Sequence, residues 1–394
     1  MQPVRASLLV ACVATLASLC AAEAFLSVAH PEILPYRFRL YDPNLIGENY
    51  LEYGEHIPFR LRRNYVGQFV NGAPIHTDPN GLRRTGTPID DHADVLCLGD
   101  SFTFGYLLGD QQAYPAALQQ IMNAQTTGLL VANGGYASGF SFDGAYVRYM
   151  HDLHRLGARL VLVGLYPGND YRDFASDVWT EVADDGSPLR IAKARQLVRR
   201  RIYAVPILRE SRLFVGLASL FLEWRMRDRI GAALDHKLDW SKVETVVRHF
   251  AASTRSHGAT LAFVFLREPG QVYAGTVANR KEENVEQVHR EVEEKNKRLK
   301  EILARNGVSW LDDGALLETT KEELRNHVAP QLDDAFAVYE PKLLARIGET
   351  NAPQILATSD RIHYSWLTNV LLAQWLFEEL RARDLLPAPP PPAG

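Results

Sequence analysis

Residues 95–105 read VLCLGDSFTFG, and the fold turns on them. Four apolar residues, Val95 to Leu98, make a run of strand length that breaks at Gly99 and passes through Asp100 and Ser101 into a second apolar stretch. A buried strand ending in a tight turn that carries a small hydroxyl residue presents that hydroxyl at the mouth of a parallel sheet, where a helix N-terminus stabilises negative charge. Ser101 is therefore the first candidate nucleophile. A serine after a strand is more often just the N-cap of the next helix, so the reading depends on what the rest of the chain brings to the same place.

Further apolar runs of the same kind follow at Leu129 to Ala132, Leu160 to Leu165, Thr260 to Leu266 and Val308 to Leu311. They are nearly continuous rather than alternating, as expected for parallel strands covered by helices on both faces. Helical stretches separate them: Tyr114 to Met122, then Phe142 to Leu156 with Tyr146, Tyr149, Met150 and Leu153 at helical spacing. A charged segment follows in which Val285, Val288, Val292, Leu299 and Ile302 recur before a stop at Gly307. Repeated βα units predict a doubly wound α/β sheet.

The remaining organisation is read from composition. Residues 27–92 are polar, aromatic and rich in turn formers, with Asp78-Pro79-Asn80-Gly81 the clearest turn, and are expected to pack on a main domain over 93–385. An insertion is expected over about 174–256. Its apolar stripe, Leu213, Leu217, Leu220, Phe221 and Trp224, fits a helical cap over the active edge or a helix pair on the back of the sheet. Its basic run, Lys193, Arg195 and Arg199 to Arg201, reads as a solvated helix face or a membrane-surface contact. Residues 386–394, LPAPPPPAG, are expected to be a disordered tail.

With 394 residues, 46% hydrophobic and 10% aromatic, the chain is long enough for a large core. A net charge of -4, with no zinc-like Cys/His spacing and no P-loop, argues against nucleic-acid and nucleotide partners. Of three cysteines, Cys12 and Cys20 lie in the N-terminal apolar stretch and Cys97 reads as a small core residue, so no disulfide framework is expected. At the N-terminus, residues 1–26 place Arg5 before a long apolar segment that ends near Ala22-Glu23-Ala24, an A-x-A type cleavage site. This predicts export, through either a cleaved signal or an uncleaved membrane anchor of about 20 residues. Leu19 before Cys20 fits a lipobox poorly.

Residues just after adjacent parallel strands converge on one crevice. After the second run comes the glycine-rich Asn133-Gly134-Gly135-Tyr136-Ala137-Ser138-Gly139, and after the third Tyr166-Pro167-Gly168-Asn169-Asp170. Farther on, Asp360-Arg361-Ile362-His363 precedes an apolar helix from Leu367 to Leu380. A serine hydroxyl needs a base to take its proton, and a histidine serves if a carboxylate fixes its tautomer. Asp360 and His363 have the spacing for that pairing. The Ser101 N–H, a glycine N–H and the Asn169 amide can then supply three donors to an oxyanion.

Taken together, these segments resemble the SGNH or GDSL hydrolases. Gly99-Asp100-Ser101 looks like that family's first block, Gly139 like the glycine of its second, Asn169 like the asparagine of its third, and Asp360 to His363 like its final Asp-x-x-His. The resemblance spans Val95 to about Leu380. It departs in two places: the second block carries an extra residue, so that Ser138 or Gly135 is an alternative donor to Gly139, and Pro167 stands where the third block has glycine. The resemblance implies a flavodoxin-like three-layer α/β/α fold with a five-stranded parallel sheet, ester hydrolysis through an acyl-enzyme, and no cofactor or metal. Its site residues here would be Ser101, Asp360 and His363, with Ser101, Gly139 and Asn169 as the oxyanion hole. The apolar N-terminus, the aromatic stretch ending in DPNGLRR and the serine block further resemble bacterial envelope-associated members. That points to an acylated envelope glycan or lipid as the ester substrate in the periplasm or outside the cell. Acyl transfer to a polysaccharide hydroxyl and non-catalytic glycan binding are the competing readings.

Overall fold

The computed structural model describes residues 2–29, 45–46, 50–53, 57, 59–125, 127–136, 141–175, 180–182, 188–191, 205, 211–214, 217, 238–267, 285–314 and 363–389. The chain divides into two compact units, Met1–Pro43 with Lys193–His236, and Asn44–Ala192 with Lys237–Gly394. In the first unit a helix, α1, runs over Gln2–Ala29. Its Val10–Ala29 portion is long and apolar enough to cross a membrane and is not buried within the protein. The basic run Lys193 to Arg201 and most of the apolar stripe lie outside the described residues.

The second unit opens with short antiparallel strands, β1 (Leu45–Ile46), β2 (Leu51–Tyr53), β3 (Phe59–Leu61), β4 (Val66–Phe69) and β5 (Pro74–His76). They pair as β1-β4-β5 and β2-β3. Leu45, Leu51, Leu61, Phe69 and Ile75 are buried in the same core as the main sheet.

That sheet is built from β6 (Val95–Gly99), β7 (Val131–Gly135), β8 (Leu160–Leu165), β11 (Thr260–Phe265) and β12 (Ser309–Asp312), all parallel, in the order β12-β11-β8-β6-β7. This is the flavodoxin-like order with its topological switch between β6 and β8. The intervening helices are α2 (Ser101–Phe104), α3 (Tyr114–Ala124), α4 (Phe142–His151) and α5 (Asp170–Ala175), then α6 (Trp240–Ser256), α7 (Val285–Arg305) and α8 (Trp366–Ala382). Period-two geometry sends Leu96, Leu98, Val161, Val163, Phe263 and Phe265 to one face, against α4, α6 and α7. Val95, Cys97, Leu160, Leu162, Ala262 and Val264 go to the other, against α3 and α8. The result is a three-layer α/β/α domain.

Three features differ from the sequence reading. The second strand is displaced to Val131–Gly135, so Asn133, Gly134 and Gly135 are strand rather than loop. Glycine serves close approach here, since a Cβ on Gly135 would meet the backbone of Thr103 and Phe104. Within 174–256 the described residues include an antiparallel hairpin, β9 (Thr180–Val182) with β10 (Pro188–Ile191), and α6, whose Val243, Val246, Val247 and Phe250 are buried in the main core. In the proline-rich tail Ala388 offers its carbonyl to Arg159 Nη1 at 2.6 Å, while residues 390–394 lie outside the described set.

Candidate active site

β6 delivers Ser101 to the carboxyl edge of the sheet through two constrained residues. Gly99 has φ +148°, and a Cβ there would overlap the Thr103 side chain and lie 2.6 Å from the Gly164 carbonyl. Only glycine fits that turn. Asp100 caps α2, its Oδ1 accepting the Phe102 N–H at 2.9 Å, and Gly105 closes the helix in the left-handed region at φ 78°. Ser101 is the first residue of this turn, and its N–H is one of the donors that a helix leaves outside its own ladder.

The structure brings His363 to Ser101. Although the two lie 262 positions apart, His363 Nε2 is 2.7 Å from Ser101 Oγ. The imidazole lies 5.0 Å, centroid to centroid, from both Phe102 and Tyr106. The neighbouring Tyr364 hydroxyl is shared between Asp313 Oδ2, at 2.6 Å, and the Arg267 carbonyl. Burial pushes the Asp313 carboxyl up to about 7 against the pull of its hydrogen bonds. Ser365 then caps α8 through the Thr368 N–H, and Asn369 Oδ1 accepts the Tyr114 N–H at 2.8 Å, locking α8 to the start of α3. Asp360 lies outside the described residues.

Asn169 follows β8 at the head of α5, as expected. Its Nδ2 donates to Asp173 Oδ2 at 3.1 Å, while its Oδ1 is buried with no hydrogen-bond partner among the described residues. Around it lies an acidic group that sequence reading did not single out. Asp170 Oδ2 accepts the Tyr166 N–H at 2.7 Å, but Asp170 Oδ1 and Asp100 Oδ2 are buried without partners among the described residues. Burial pushes the Asp100 carboxyl up to about 7; the Asp173 charge adds to the rise, while His363 and Asn169 oppose it. Burial raises Asp170 well above the ordinary carboxyl range, with the Asp100 and Asp173 charges reinforcing it.

In the glycine-rich segment, the Gly135 N–H donates to Asn133 Oδ1 at 2.9 Å and the Tyr136 N–H to the Gly99 carbonyl at 2.9 Å. Gly135 therefore has no N–H to spare for a ligand. Ser138 and Gly139 lie outside the described residues.

The other residue missed is Arg83, inside the DPNGLRR stretch. Its side chain is fully buried, with Nη1 donating to the Phe104 and Gly105 carbonyls, both at 2.6 Å. Nη2 donates to the Leu108 carbonyl and, at 3.4 Å, to Pro74, and Nε reaches Asp110 Oδ1 at 3.4 Å. Asp110 also takes His76 Nδ1 at 2.5 Å. The backbone N–H of Arg83 bridges to the Asn133 carbonyl, so the lead-in is tied both to the nucleophile turn and to β7. Among the described residues no cluster of three or more His, Cys, Asp or Glu side chains is arranged to hold a metal ion.

No family model matches the chain, and no curated protein does. Among solved structures it is similar to an acetylxylan esterase, Axe2, from Geobacillus stearothermophilus, at 15% identity and TM-score 0.38, over 74% of this chain and 95% of that one. It is also similar to TesA, at 12% identity and TM-score 0.36, over 73% and 98%. A third is the psychrotrophic esterase EstA from Pseudoalteromonas sp., at 11% identity and TM-score 0.36, over 75% and 99%. At these scores the likenesses carry nothing about activity. The side chains at the sheet edge do.

Proposed function

We propose that the protein is a serine ester hydrolase of the SGNH type, in which His363 deprotonates Ser101 for attack on an ester carbonyl. The observation that carries this is the 2.7 Å approach of His363 Nε2 to Ser101 Oγ at the carboxyl edge of the sheet. A hydroxyl within hydrogen-bond reach of an imidazole is the minimal activated nucleophile. As the Oγ–carbon bond forms, the proton passes to His363 and negative charge collects on the carbonyl oxygen. The Ser101 N–H, the Asn169 amide and an N–H near Gly139 are the proposed donors to it. Collapse expels the alcohol, which takes the proton from His363, and water then releases the acid by the same route in reverse. Asp360 is the proposed orienting carboxylate for His363. An acylated envelope glycan or lipid is the proposed substrate, with the protein exported.

The test uses the full chain in detergent micelles. Ser101→Ala should abolish p-nitrophenyl acetate hydrolysis and fluorophosphonate labelling while leaving circular dichroism unchanged. Equal turnover by the variant and the parent rejects the reading; labelling absent from the parent itself favours a non-catalytic binding role. Release of the acyl group only to water, with sugar acceptors present, argues against acyl transfer.

A further inference from the structure

We infer that the N-terminal helix remains on the mature protein as a membrane anchor, and that Glu23 is the clamp joining it to the segment 211–214. The Val10–Ala29 portion of α1 has 20 residues, which at about 1.5 Å per residue matches a hydrocarbon core about 30 Å thick. Val10, Val13, Leu16, Leu19, Phe25 and Val28 are all exposed. A long helix whose apolar side chains stay largely exposed suits solvation by lipid. Its hydroxyls suit that setting, since Thr15 donates to the Ala11 carbonyl and Ser18 to the Ala14 carbonyl, each at 2.9 Å, leaving no bare donor in hydrocarbon.

A cleaved signal helix would share these properties, and Glu23 separates the two cases. It is the middle residue of the A-x-A sequence. In the structure it sits within a continuous helix, and its carboxylate accepts three hydrogen bonds from one short segment of the same compact unit. These come from Ser211 Oγ at 2.8 Å, the Arg212 N–H at 2.6 Å and the Leu213 N–H at 3.0 Å. Ser211 Oγ in turn accepts the Phe214 N–H at 3.0 Å. A carboxylate near the end of an apolar helix is costly unless its oxygens are satisfied, and here the satisfying donors lie 188 to 190 positions away. Cleavage after Ala24 would remove Glu23 and strip the Ser211 to Leu213 donors of their acceptor. The clamp has a purpose only if the helix stays.

The full chain with a C-terminal tag, expressed in a Gram-negative host, tests this by intact mass and by extraction of membranes with alkaline carbonate. The expected species keeps residues 1–24 and stays in the pellet. A species beginning after Ala24 in the soluble fraction overturns the proposal. Trypsin supplies the second readout, because it cuts after Arg212. Glu23→Ala should speed that cut by about tenfold in the membrane-bound protein, and equal rates in parent and variant overturn the clamp. Neither readout involves turnover, so this inference and the ester hydrolase reading fail separately.

Discussion

On one side of Ser101 a single guanidinium gives its N–H groups to five acceptors, the carbonyls of Pro74, Phe104, Gly105 and Leu108 and the Asp110 carboxylate. On the other side sit Asp100, Asn169 and Asp170, each with a buried oxygen that has no partner among the described residues. Arginine carries five N–H donors, so the Arg83 flank is saturated. The acidic flank is not, and buried polar groups left unsatisfied cost free energy that the surrounding structure must supply. The contrast separates the two flanks: Arg83 fixes the exit of the nucleophile turn as scaffold, while the acidic flank keeps unpaired buried oxygens beside the turn.

The largest effect is expected from Arg83→Met, which leaves buried carbonyls and Asp110 without their cation. Its cost should be about 3–5 kcal/mol in urea unfolding. A loss under about 1 kcal/mol would break the comparison, because the flank would then be dispensable. Asn169→Ala sharpens it from the other side. It should lower kcat by about 10²- to 10³-fold, or roughly 3–4 kcal/mol of barrier, with little change in melting temperature. A large melting loss with kcat preserved would make Asn169 scaffold as well.

The smallest effect is a pH dependence at Asp170. Its carboxyl is raised in the fold, so the folded chain holds a proton that the unfolded chain has already lost above about pH 4. Stability from this group is therefore full below that pH and falls as the pH climbs towards the folded value. Asp170→Asn keeps an oxygen for the Tyr166 N–H and removes the titration. It should stabilise the protein at pH 8 and leave its stability near pH 4 unchanged. Parallel pH–stability curves for variant and parent would show that the acidic flank carries no such strain.

The parallel sheet was legible because Val95 to Leu98 and Leu160 to Leu165 are apolar at every position, and every one of them is buried. The Ser101 and His363 pairing was legible only as motif and order, since no periodicity links residues so far apart. Arg83 was quoted within DPNGLRR yet its work was hidden. Its partners are mostly backbone carbonyls, which every residue has, so no side-chain spacing announces them. The acidic flank was hidden for a different reason: Asp173 lies one helical turn beyond Asn169, a spacing that reads from sequence as an ordinary exposed face. The shifted β7 shows the same limit, because glycines that admit a neighbouring backbone look identical on paper to glycines that make a loop.

The distance along the chain between Ser101 and His363 has one more consequence. A nascent or truncated polypeptide that stops short of His363 carries Ser101 but lacks the imidazole that approaches its Oγ and the Asn369 contact that secures α3. On the proposed ester hydrolase reading, such a chain holds a serine without its base and stays chemically inert until the last part of the chain is made.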